Sequence, residues 1–313
     1  MIMSKTVFVI VGPTSSGKTS LAIELCKQIN GEIVSADSRQ IYKYMDIGTG
    51  KQPVGSTSTI QKADTKWILN DTNIWGYDLA EPDKRFSSFD YAHFALTKLK
   101  QLREQGKQAF LVGGTGFYID TVTGRMPVSN IEPNQNLRNT LQNLTTLELF
   151  AKLTSLNPKR AKVIDKDNKI RLIRAIEIET ADFKNPTPLP YLTDTNYVYI
   201  GLTAERAVLY ARVDAWLDAI WANGLLNEVT TLIKLGYQRS APLFGLVYKS
   251  VLSYMSDELS QEDAKTRAKF DLHAYIRRQQ TWFKRNTKIA WLDINQKNLS
   301  QAAKNLVESK LDG

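Results

Sequence analysis

The residues best suited to chemistry in this sequence form a glycine-rich loop near the N-terminus, GPTSSGKT at 12–19. Gly12, Gly17, Lys18 and Thr19 have the spacing G-x-x-x-x-G-K-[ST], in which glycines let backbone N–H groups turn towards phosphate oxygens. Lys18 adds a positive charge, and the Thr19 hydroxyl is suited to bind Mg²⁺. The residues expected to surround the phosphates are Gly12, Pro13, Thr14, Ser15, Ser16, Gly17, Lys18 and Thr19. The spacing predicts phosphate binding but leaves the phosphate compound open.

A strand and a helix must flank such a loop. TVFVIV at Thr6–Val11 is a continuous run of apolar and β-branched residues, as expected for a parallel strand buried on both faces. After the loop, Leu21, Ala22, Leu25 and Ile29 recur at helical spacing. The order of strand, loop and helix places the positive end of the helix dipole at the phosphates.

Three later segments also have the composition of buried strands. They are EIVSA, AFLVGG and YVYIGL, at Glu32–Ala36, Ala109–Gly114 and Tyr197–Leu202. Alternation with helical patterns predicts an α/β fold of the P-loop NTPase type, in which helices flank a parallel sheet. After Ala204 the pattern is mainly helical.

The sheet pattern is interrupted by helical stretches rich in Asn and Leu. We therefore predict an inserted helical domain at 126–194, within a catalytic core made of 1–125 and 195–313. The proline-rich segment NPTPLP is expected to be the linker at the exit of the insertion.

Asp37 directly follows the second predicted strand, at the sheet edge where α/β proteins bind ligands. In a phosphoryl-transfer enzyme it would be a Mg²⁺ ligand, and as a purely structural residue either it or Ser38 would cap a helix. A glycine turn, VGGTGFYID, follows the third predicted strand. Gly113 and Gly114 allow close backbone approach there, and Thr115 can donate a hydrogen bond.

Composition narrows the class of protein. The 313 residues carry a formal net charge of +9, from 41 Lys and Arg against 32 Asp and Glu, which favours a polyanionic partner such as nucleic acid. The single cysteine excludes an intramolecular disulfide, and two histidines make a His-rich metal centre a poor interpretation. We expect a cytosolic protein without a membrane span.

Five segments in order, GPTSSGKTSLA, SADSRQIYKYMDIGTGK, LVGGTGFYI, DNKIRLIRAIEI and RRQQTWFKR, resemble the tRNA dimethylallyltransferase family, also called tRNA isopentenyltransferases. The resemblance spans nearly the whole chain. It implies that the loop holds the diphosphate of dimethylallyl diphosphate rather than ATP. It also implies transfer of the dimethylallyl group to the exocyclic amine of the adenosine next to the anticodon on its 3′ side, with release of diphosphate. The expected partners are Mg²⁺ and the anticodon stem-loop of tRNA, bound by a monomer.

The resemblance assigns roles to individual residues. Asp37 would be the base that accepts a proton from the adenine amine, and Thr115 would lie close to the reacting groups. Lys18, Thr19 and Mg²⁺ would neutralise the departing diphosphate. The residues implied beside the target adenine, which is flipped out of its stack, are Asp37, Ser38, Arg39, Gln40 and Thr115.

Further tRNA contacts are expected on basic helices. The resemblance points to Arg138, Arg171 and Arg174 in the insertion, although a salt-bridged helix face would have the same pattern. Near the C-terminus the expected contacts are Arg277, Arg278, Lys284 and Arg285. Trp282 and Phe283 between them would either stack on bases or pack in the core.

Two segments depart from the family pattern. In IWGYDLAEPDKRFS, Trp75, Gly76 and Tyr77 stand where the family often has a His-rich sequence, and the second segment is APLFGLVYKSVL. Phe244 stands where the family commonly has an arginine that clamps the diphosphate, and Val247 replaces a glycine, whereas Tyr248 and Lys249 are retained. Lys249 or another basic residue would have to compensate. Two alternatives therefore accompany the transferase interpretation: a catalytically altered relative that binds tRNA, and an ATP-dependent P-loop kinase.

Overall fold

The computed structural model describes residues 5–53, 58–63, 66–181 and 188–311. The chain divides into two compact units, one of Met1–Met126 with Pro190–Gly313 and the other of Pro127–Leu189. The second boundary thus lies at Leu189/Pro190 rather than at 194/195. Part of the predicted linker NPTPLP lies outside the described residues.

The larger unit is built on one sheet of eight described strands. These are β1 (Thr6–Val11), β2 (Gly31–Ser35), β3 (Ile60–Ala63), β4 (Lys66–Leu69), β5 (Thr72–Trp75), β6 (Gln108–Gly113), β7 (Asn196–Thr203) and β8 (Ala290–Asp293). Their spatial order is β3-β4-β5-β2-β6-β1-β7-β8. From β5 to β8 all neighbouring pairs are parallel, and β3, β4 and β5 form an antiparallel edge.

Helices flank this sheet and form the smaller unit. They are α1 (Lys18–Gln28), α2 (Ser88–Glu104), α3 (Gly116–Val122), α4 (Gln135–Gln142), α5 (Thr146–Leu156), α6 (Pro158–Ala161), α7 (Lys169–Thr180), α8 (Arg206–Ala222), α9 (Leu225–Lys234), α10 (Leu246–Met255), α11 (Gln261–Phe283) and α12 (Leu299–Leu311), with a 3₁₀ helix at Ala241–Phe244. The predicted α/β class and the four predicted strands are confirmed. The antiparallel edge and β8 were not predicted, because these strands have four residues each and short buried runs.

Two apolar clusters hold the larger unit together. In the first, Phe8 of β1 packs with Leu21 and Leu25 of α1 and with Val307 of α12. The second lies among the helices α8 to α11. The phosphate loop follows directly from the buried strand β1, so burial of apolar surface fixes where that loop begins.

The smaller unit has a core of its own. Leu149 and Leu153 of α5 are fully buried with Leu172 and Ile176 of α7. Thr145 begins α5 with a reciprocal capping box to Glu148, which satisfies two N-terminal backbone donors. These contacts account for a compact helical insertion.

A buried lysine anchors the segment that follows β2. The Lys51 side chain has no exposed surface and is ion-paired with Asp46 at 2.7 Å and with Asp78. The other Asp78 oxygen accepts a hydrogen bond from the Trp67 indole. Lys51 therefore joins this segment to the antiparallel edge of the sheet through compensated buried charge.

Lys51→Met is expected to lower the free energy of unfolding by about 3 kcal/mol, because it leaves Asp78 buried without its counter-charge. Lys62 provides a matched control, since it pairs with the same Asp46 at 2.6 Å but is about half exposed. Lys62→Met should cost about 1 kcal/mol or less. Urea denaturation of both variants checks this. Equal losses would mean that the burial of Lys51 adds nothing to what the exposed pair of Lys62 contributes.

Candidate active site

The phosphate loop adopts a conformation that depends on its glycines. Gly12 has φ 150°, and a Cβ there would lie 2.6 Å from the Leu202 carbonyl oxygen. Gly17 has φ 87° and begins α1, and no side chain of the described residues caps this helix start. The N-terminal N–H groups of α1 are therefore left for an anion.

Lys18 extends back over this loop. Its ammonium donates a hydrogen bond to the Pro13 carbonyl oxygen at 2.6 Å. Burial lowers the pKa of Lys18 to about 8, and the nearby negative charge of Asp37 opposes this shift. A bound anion would favour the protonated form, so the site is arranged to gain positive charge when phosphate enters.

Asp37 lies at the end of β2, beside the loop. Its Oδ1 accepts a hydrogen bond from the Arg39 backbone N–H at 2.9 Å. Burial raises the pKa of Asp37, whereas that hydrogen bond and the charges of Lys18 and Arg39 oppose the rise. Because residues 38–41 form turns, the helix-cap alternative for Asp37 or Ser38 is wrong. A carboxylate with a raised pKa is a stronger base than an exposed one.

Thr115 ties the end of β6 to the segment that carries Asp37. Its hydroxyl oxygen accepts a hydrogen bond from the Ser38 N–H at 2.9 Å, and it lies 3.2 Å from the Ser38 hydroxyl. Gly113 allows the two strand ends to approach, because a Cβ there would lie 2.1 Å from the Ala36 carbonyl oxygen. The structure thus brings Thr115 next to Asp37.

A glutamine that the motif analysis missed joins the two glycine turns. Gln279 of α11 accepts a hydrogen bond from the Thr14 N–H at 2.9 Å and donates one to the Gly114 carbonyl oxygen at 3.0 Å. It is 4% exposed. A sequence signal did exist, because Gln279 continues the buried helical stripe of Leu272 and Ile276, where an apolar residue is the usual choice.

A second residue missed from the sequence is Glu228 of α9. Its carboxylate accepts hydrogen bonds from the N–H groups of Asp46, Ile47 and Gly48, at 2.7, 2.6 and 3.0 Å. The Tyr248 hydroxyl donates a fourth at 2.8 Å. Burial raises the pKa of Glu228, and these donors oppose the rise. Glu228 therefore fixes the backbone of the turn at 46–48, which is followed by the cavity-lining residues Thr49 and Gly50.

These elements enclose a cavity of about 630 Å³. Among the residues that line it are Thr14, Lys18, Thr19, Asp37, Gln40, Gly114, Arg212, Trp216 and Gln279. A smaller cavity of about 30 Å³ adjoins Thr14 and Asp37 and is bounded by Tyr248 and Tyr275. The phosphate loop and the carboxylate thus face one space, as phosphate chemistry next to a base requires.

The polar residues after Asp37 are engaged inside the protein. Arg39 donates to the Pro242 carbonyl oxygen at 2.9 Å, and Gln40 accepts from the Ser35 hydroxyl at 2.8 Å. The Gln40 amide also donates to the Thr49 carbonyl oxygen. Their assignment as tRNA contacts stays a prediction, since these bonds would have to be shared or exchanged.

The four basic residues near the end of α11 are exposed: Arg277, Arg278, Lys284 and Arg285. Between them, the Trp282 indole donates to Asp120 at 2.9 Å and contacts the space above Gly116, and Phe283 is 3% exposed. The packing interpretation is correct for Phe283 and describes the inner edge of Trp282, whereas stacking of the half-buried Trp282 ring on bases stays a prediction.

In the smaller unit, two of the three predicted contacts are ion-paired with a buried carboxylate, and the third has an exposed partner. Arg138 forms a pair with the buried Glu177 at 2.7 Å, and Arg174 pairs with the same carboxylate at 3.3 Å. Arg171 is more than half exposed and lies 3.9 Å from an exposed carboxylate oxygen of Asp165. The salt-bridge alternative therefore describes Arg138 and Arg174, while Arg171 is accessible.

Phe244 does not line either cavity, although the next residue, Gly245, lines the smaller one. Phe244 is 58% exposed in the 3₁₀ helix, and Lys249 is exposed on α10. Neither is among the described residues that line the two cavities. Lys249 is therefore not the compensating charge.

The described residues contain no cluster of three His, Cys, Asp or Glu side chains that could hold a metal ion. In those same stretches no helix is long and apolar enough to cross a membrane. Thr19 lines the cavity, and the buried Ser16 hydroxyl of the phosphate loop has no hydrogen-bond partner among the described residues. A hydroxyl together with phosphate oxygens and water is a donor set that suits Mg²⁺.

Comparison with known proteins gives one consistent family. A family model described as IPP transferase matches residues 40–286. A protein named tRNA dimethylallyltransferase from Thermoanaerobacter sp. (strain X514) is 34% identical over 98% of both chains. The solved full-length tRNA isopentenylpyrophosphate transferase from Bacillus halodurans is 30% identical, with a TM-score of 0.71 and coverage of 99% of this chain and 97% of that one. A eukaryotic dimethylallyltransferase solved acting on tRNA shares the fold, with a TM-score of 0.75, 22% identity and coverage of 98% and 80%.

The pKa of Lys18 predicts how anion binding depends on pH. Lys18 is protonated below pH of about 8 and neutral above it. The affinity for inorganic pyrophosphate, measured by calorimetry between pH 6.5 and 9.5, should therefore fall above pH 8 by up to about ten-fold per pH unit. Lys18→Met should bind more weakly and keep only the pH dependence of the ligand itself. Parallel profiles for the two proteins would contradict this assignment.

Proposed function

The chain belongs to the tRNA dimethylallyltransferase family, and from that premise we propose the chemistry of its cavity. It is a prenyltransferase that acts on tRNA. Its donor is dimethylallyl diphosphate, and its acceptor is the exocyclic amine of the adenosine 3′ to the anticodon. The observation that carries this proposal is the single cavity shared by the phosphate loop and Asp37.

The phosphate loop binds the leaving group. Diphosphate departs with the electron pair of the C–O bond. Negative charge therefore grows on the diphosphate oxygen that was bonded to the allylic carbon. The N-terminal amides of α1 and the Lys18 ammonium, which lies over the same loop, would stabilise this charge as the bond breaks.

Asp37 activates the acceptor. The lone pair of an adenine amine is delocalised into the ring, so the amine is a weak nucleophile towards an allylic carbon. As the N–C bond forms, the amine proton passes to the Asp37 carboxylate, whose pKa is raised by burial. Thr115 positions this base through Ser38.

Mg²⁺ would be held by the Thr19 hydroxyl together with oxygens of the diphosphate and water. When bound, it neutralises charge on the leaving group. The unpaired hydroxyl of Ser16 supports a polar ligand at the same loop.

The acceptor reaches the cavity only if the target base leaves its stack. Exposed basic residues at Arg277, Arg278, Lys284 and Arg285 are proposed to bind the tRNA backbone, with Arg171 in the insertion. Such contacts make binding strongly dependent on salt. The monomeric state and the cytosolic location stay predictions.

The direct test is to incubate the protein with Mg²⁺, dimethylallyl diphosphate and unmodified tRNA, and to detect prenylated adenosine in the digested RNA by mass spectrometry. Asp37→Asn keeps the shape of the side chain but cannot accept the proton, so the transfer rate should fall by about 10²-fold or more. Binding of tRNA should change little.

Three outcomes would redirect the proposal. Absence of product despite tRNA binding would favour the catalytically altered relative. Turnover of ATP without tRNA would favour the kinase. Loss of both transfer and tRNA binding in Asp37→Asn would mean that Asp37 is a structural residue.

A further inference from the structure

Two aromatic rings stand together at the surface in the segment that follows Asp37 and in the loop after α9. The rings of Tyr44 and Tyr237 are stacked, with their centroids 6.1 Å apart and their planes at 22°. Tyr44 nevertheless keeps 45% of its surface exposed. An exposed ring that is already held in one orientation is a suitable surface for a further planar group.

The backbone of Tyr44 is strained. Its φ of 63° lies in the left-handed region, which a bulky side chain adopts at a cost and a glycine adopts freely. Ile41 and Met45 on either side of it are buried, so the fold fixes this part of the chain. Strain of this kind is characteristic of functional sites. A large ring kept at a strained and exposed position indicates a partner outside the chain.

Tyr237 is held firmly in place behind this ring. Its hydroxyl donates a hydrogen bond to Glu81 at 2.8 Å, and Glu81 forms an ion pair with Lys43 at 2.9 Å. The bond to Glu81 raises the pKa of Tyr237 to about 12, so the phenol is neutral at physiological pH. Tyr237 therefore supports Tyr44 without adding a negative charge that would repel RNA.

A third exposed ring comes from the same loop. Phe244 is 58% exposed at the end of the 3₁₀ helix. Arg39 joins this helix to the segment of Tyr44, because its guanidinium donates to the Pro242 carbonyl oxygen at 2.9 Å. The segment 39–44 and the loop 237–244 are thus connected at two points, through Arg39 and through the stacked tyrosines. We call Tyr44, Tyr237 and Phe244 the aromatic ledge.

The aromatic ledge is continuous with the residues around the base. The Arg39 backbone N–H donates to Asp37 Oδ1 at 2.9 Å. Gly245, which follows Phe244, lines the smaller cavity together with Asp37, and a Cβ on it would lie 2.2 Å from an Arg39 guanidinium nitrogen. Both strips of the ledge therefore begin beside the carboxylate.

The chemistry of the acceptor explains why rings are needed beside the site. When a target base leaves its stack, the faces of its two neighbours lose their stacking partner. Proteins that bind unpaired RNA cover such faces with the rings of Tyr, Phe or Trp. An exposed Tyr and an exposed Phe next to the base have the right chemistry for this task.

We propose that the aromatic ledge stacks on an unpaired loop base that flanks the flipped adenosine and so holds the tRNA loop open. Tyr44 and Phe244 contact RNA, and Tyr237 is a positioning residue that acts through Tyr44. This inference rests on the proposed function and deepens it, because it adds a binding surface for a neighbour of the target nucleotide.

Binding of an anticodon stem-loop RNA without donor, measured by fluorescence anisotropy, tests the ledge. Tyr44→Gly removes the ring and suits the φ of 63°. It should weaken binding by about ten-fold, as should Phe244→Ala, because each loses one stacking contact. Tyr44→Phe and Phe244→Trp keep a ring and should bind within about two-fold of wild type. Phe270→Ala is the control, since Phe270 is 63% exposed on α11 and lies outside the ledge.

An abasic substitution in the RNA identifies the stacked base. Each nucleotide that flanks the target adenosine is replaced in turn by an abasic residue. At one of these two positions the substitution should weaken binding to wild type by about ten-fold. It should weaken binding to Tyr44→Gly or to Phe244→Ala by less than about two-fold, because the partner ring is already missing. Melting curves show whether each variant is folded.

The inference is overturned if both ring-deleting variants bind RNA as wild type does. A lower melting temperature with unchanged RNA affinity would mean that the rings only stabilise the fold. Equal abasic losses in wild type and variants would also overturn it. None of these results touches the proposed function, because wild type would still form prenylated adenosine. Conversely, if the abasic pattern appears but wild type transfers nothing, the ledge stands and the assigned chemistry fails.

Discussion

Two opposite charges line one cavity, and separate hydrogen bonds hold the Lys18 ammonium and the Asp37 carboxylate apart. Burial raises the pKa of Asp37 and lowers that of Lys18, so each group is shifted towards its neutral form. A direct salt bridge between Lys18 and Asp37 would make the carboxylate a weaker base, and it would also occupy the cation that is needed to bind an anion. Instead, Lys18 donates to the Pro13 carbonyl oxygen, and Asp37 accepts from the Arg39 N–H. Separate backbone partners thus preserve two reactive groups in one space.

Distant helices provide the rigidity that this separation needs. Gln279 on α11 joins the phosphate loop to the turn at Gly114, and Glu228 on α9 gathers three N–H groups of the turn at 46–48. Buried polar groups of this kind are costly unless every bond is made, so both helices must pack in one position. The apolar cluster of α8 to α11 supplies that position. Packing far from the phosphates thereby determines the shape of the cavity.

The basic charge of the chain is used in more than one way. Arg138 and Arg174 compensate the buried Glu177, and Lys51 compensates two aspartates. Arg277 and Arg278 of α11 are exposed and form no ion pair with the described residues. The net charge therefore predicts an acidic partner. Only the ion pairs seen in the structure show which basic side chains are available to bind that partner and which ones stabilise the fold.

The sequence by itself determined the α/β class, the phosphate loop, and Asp37 at the end of the second strand. These features depend on local spacing and on continuous apolar runs, which the linear order of residues records directly. The tertiary structure decided which residues from other helices lie next to the phosphate loop and Asp37. Gln279 bonds to the phosphate loop from a helix in the last third of the chain, and the spacing of residues along one helix does not reveal which loop it will face. It also decided that Trp282 packs on Gly116, because the same alternation of basic and aromatic residues suits either a core or an RNA surface until its neighbours are known.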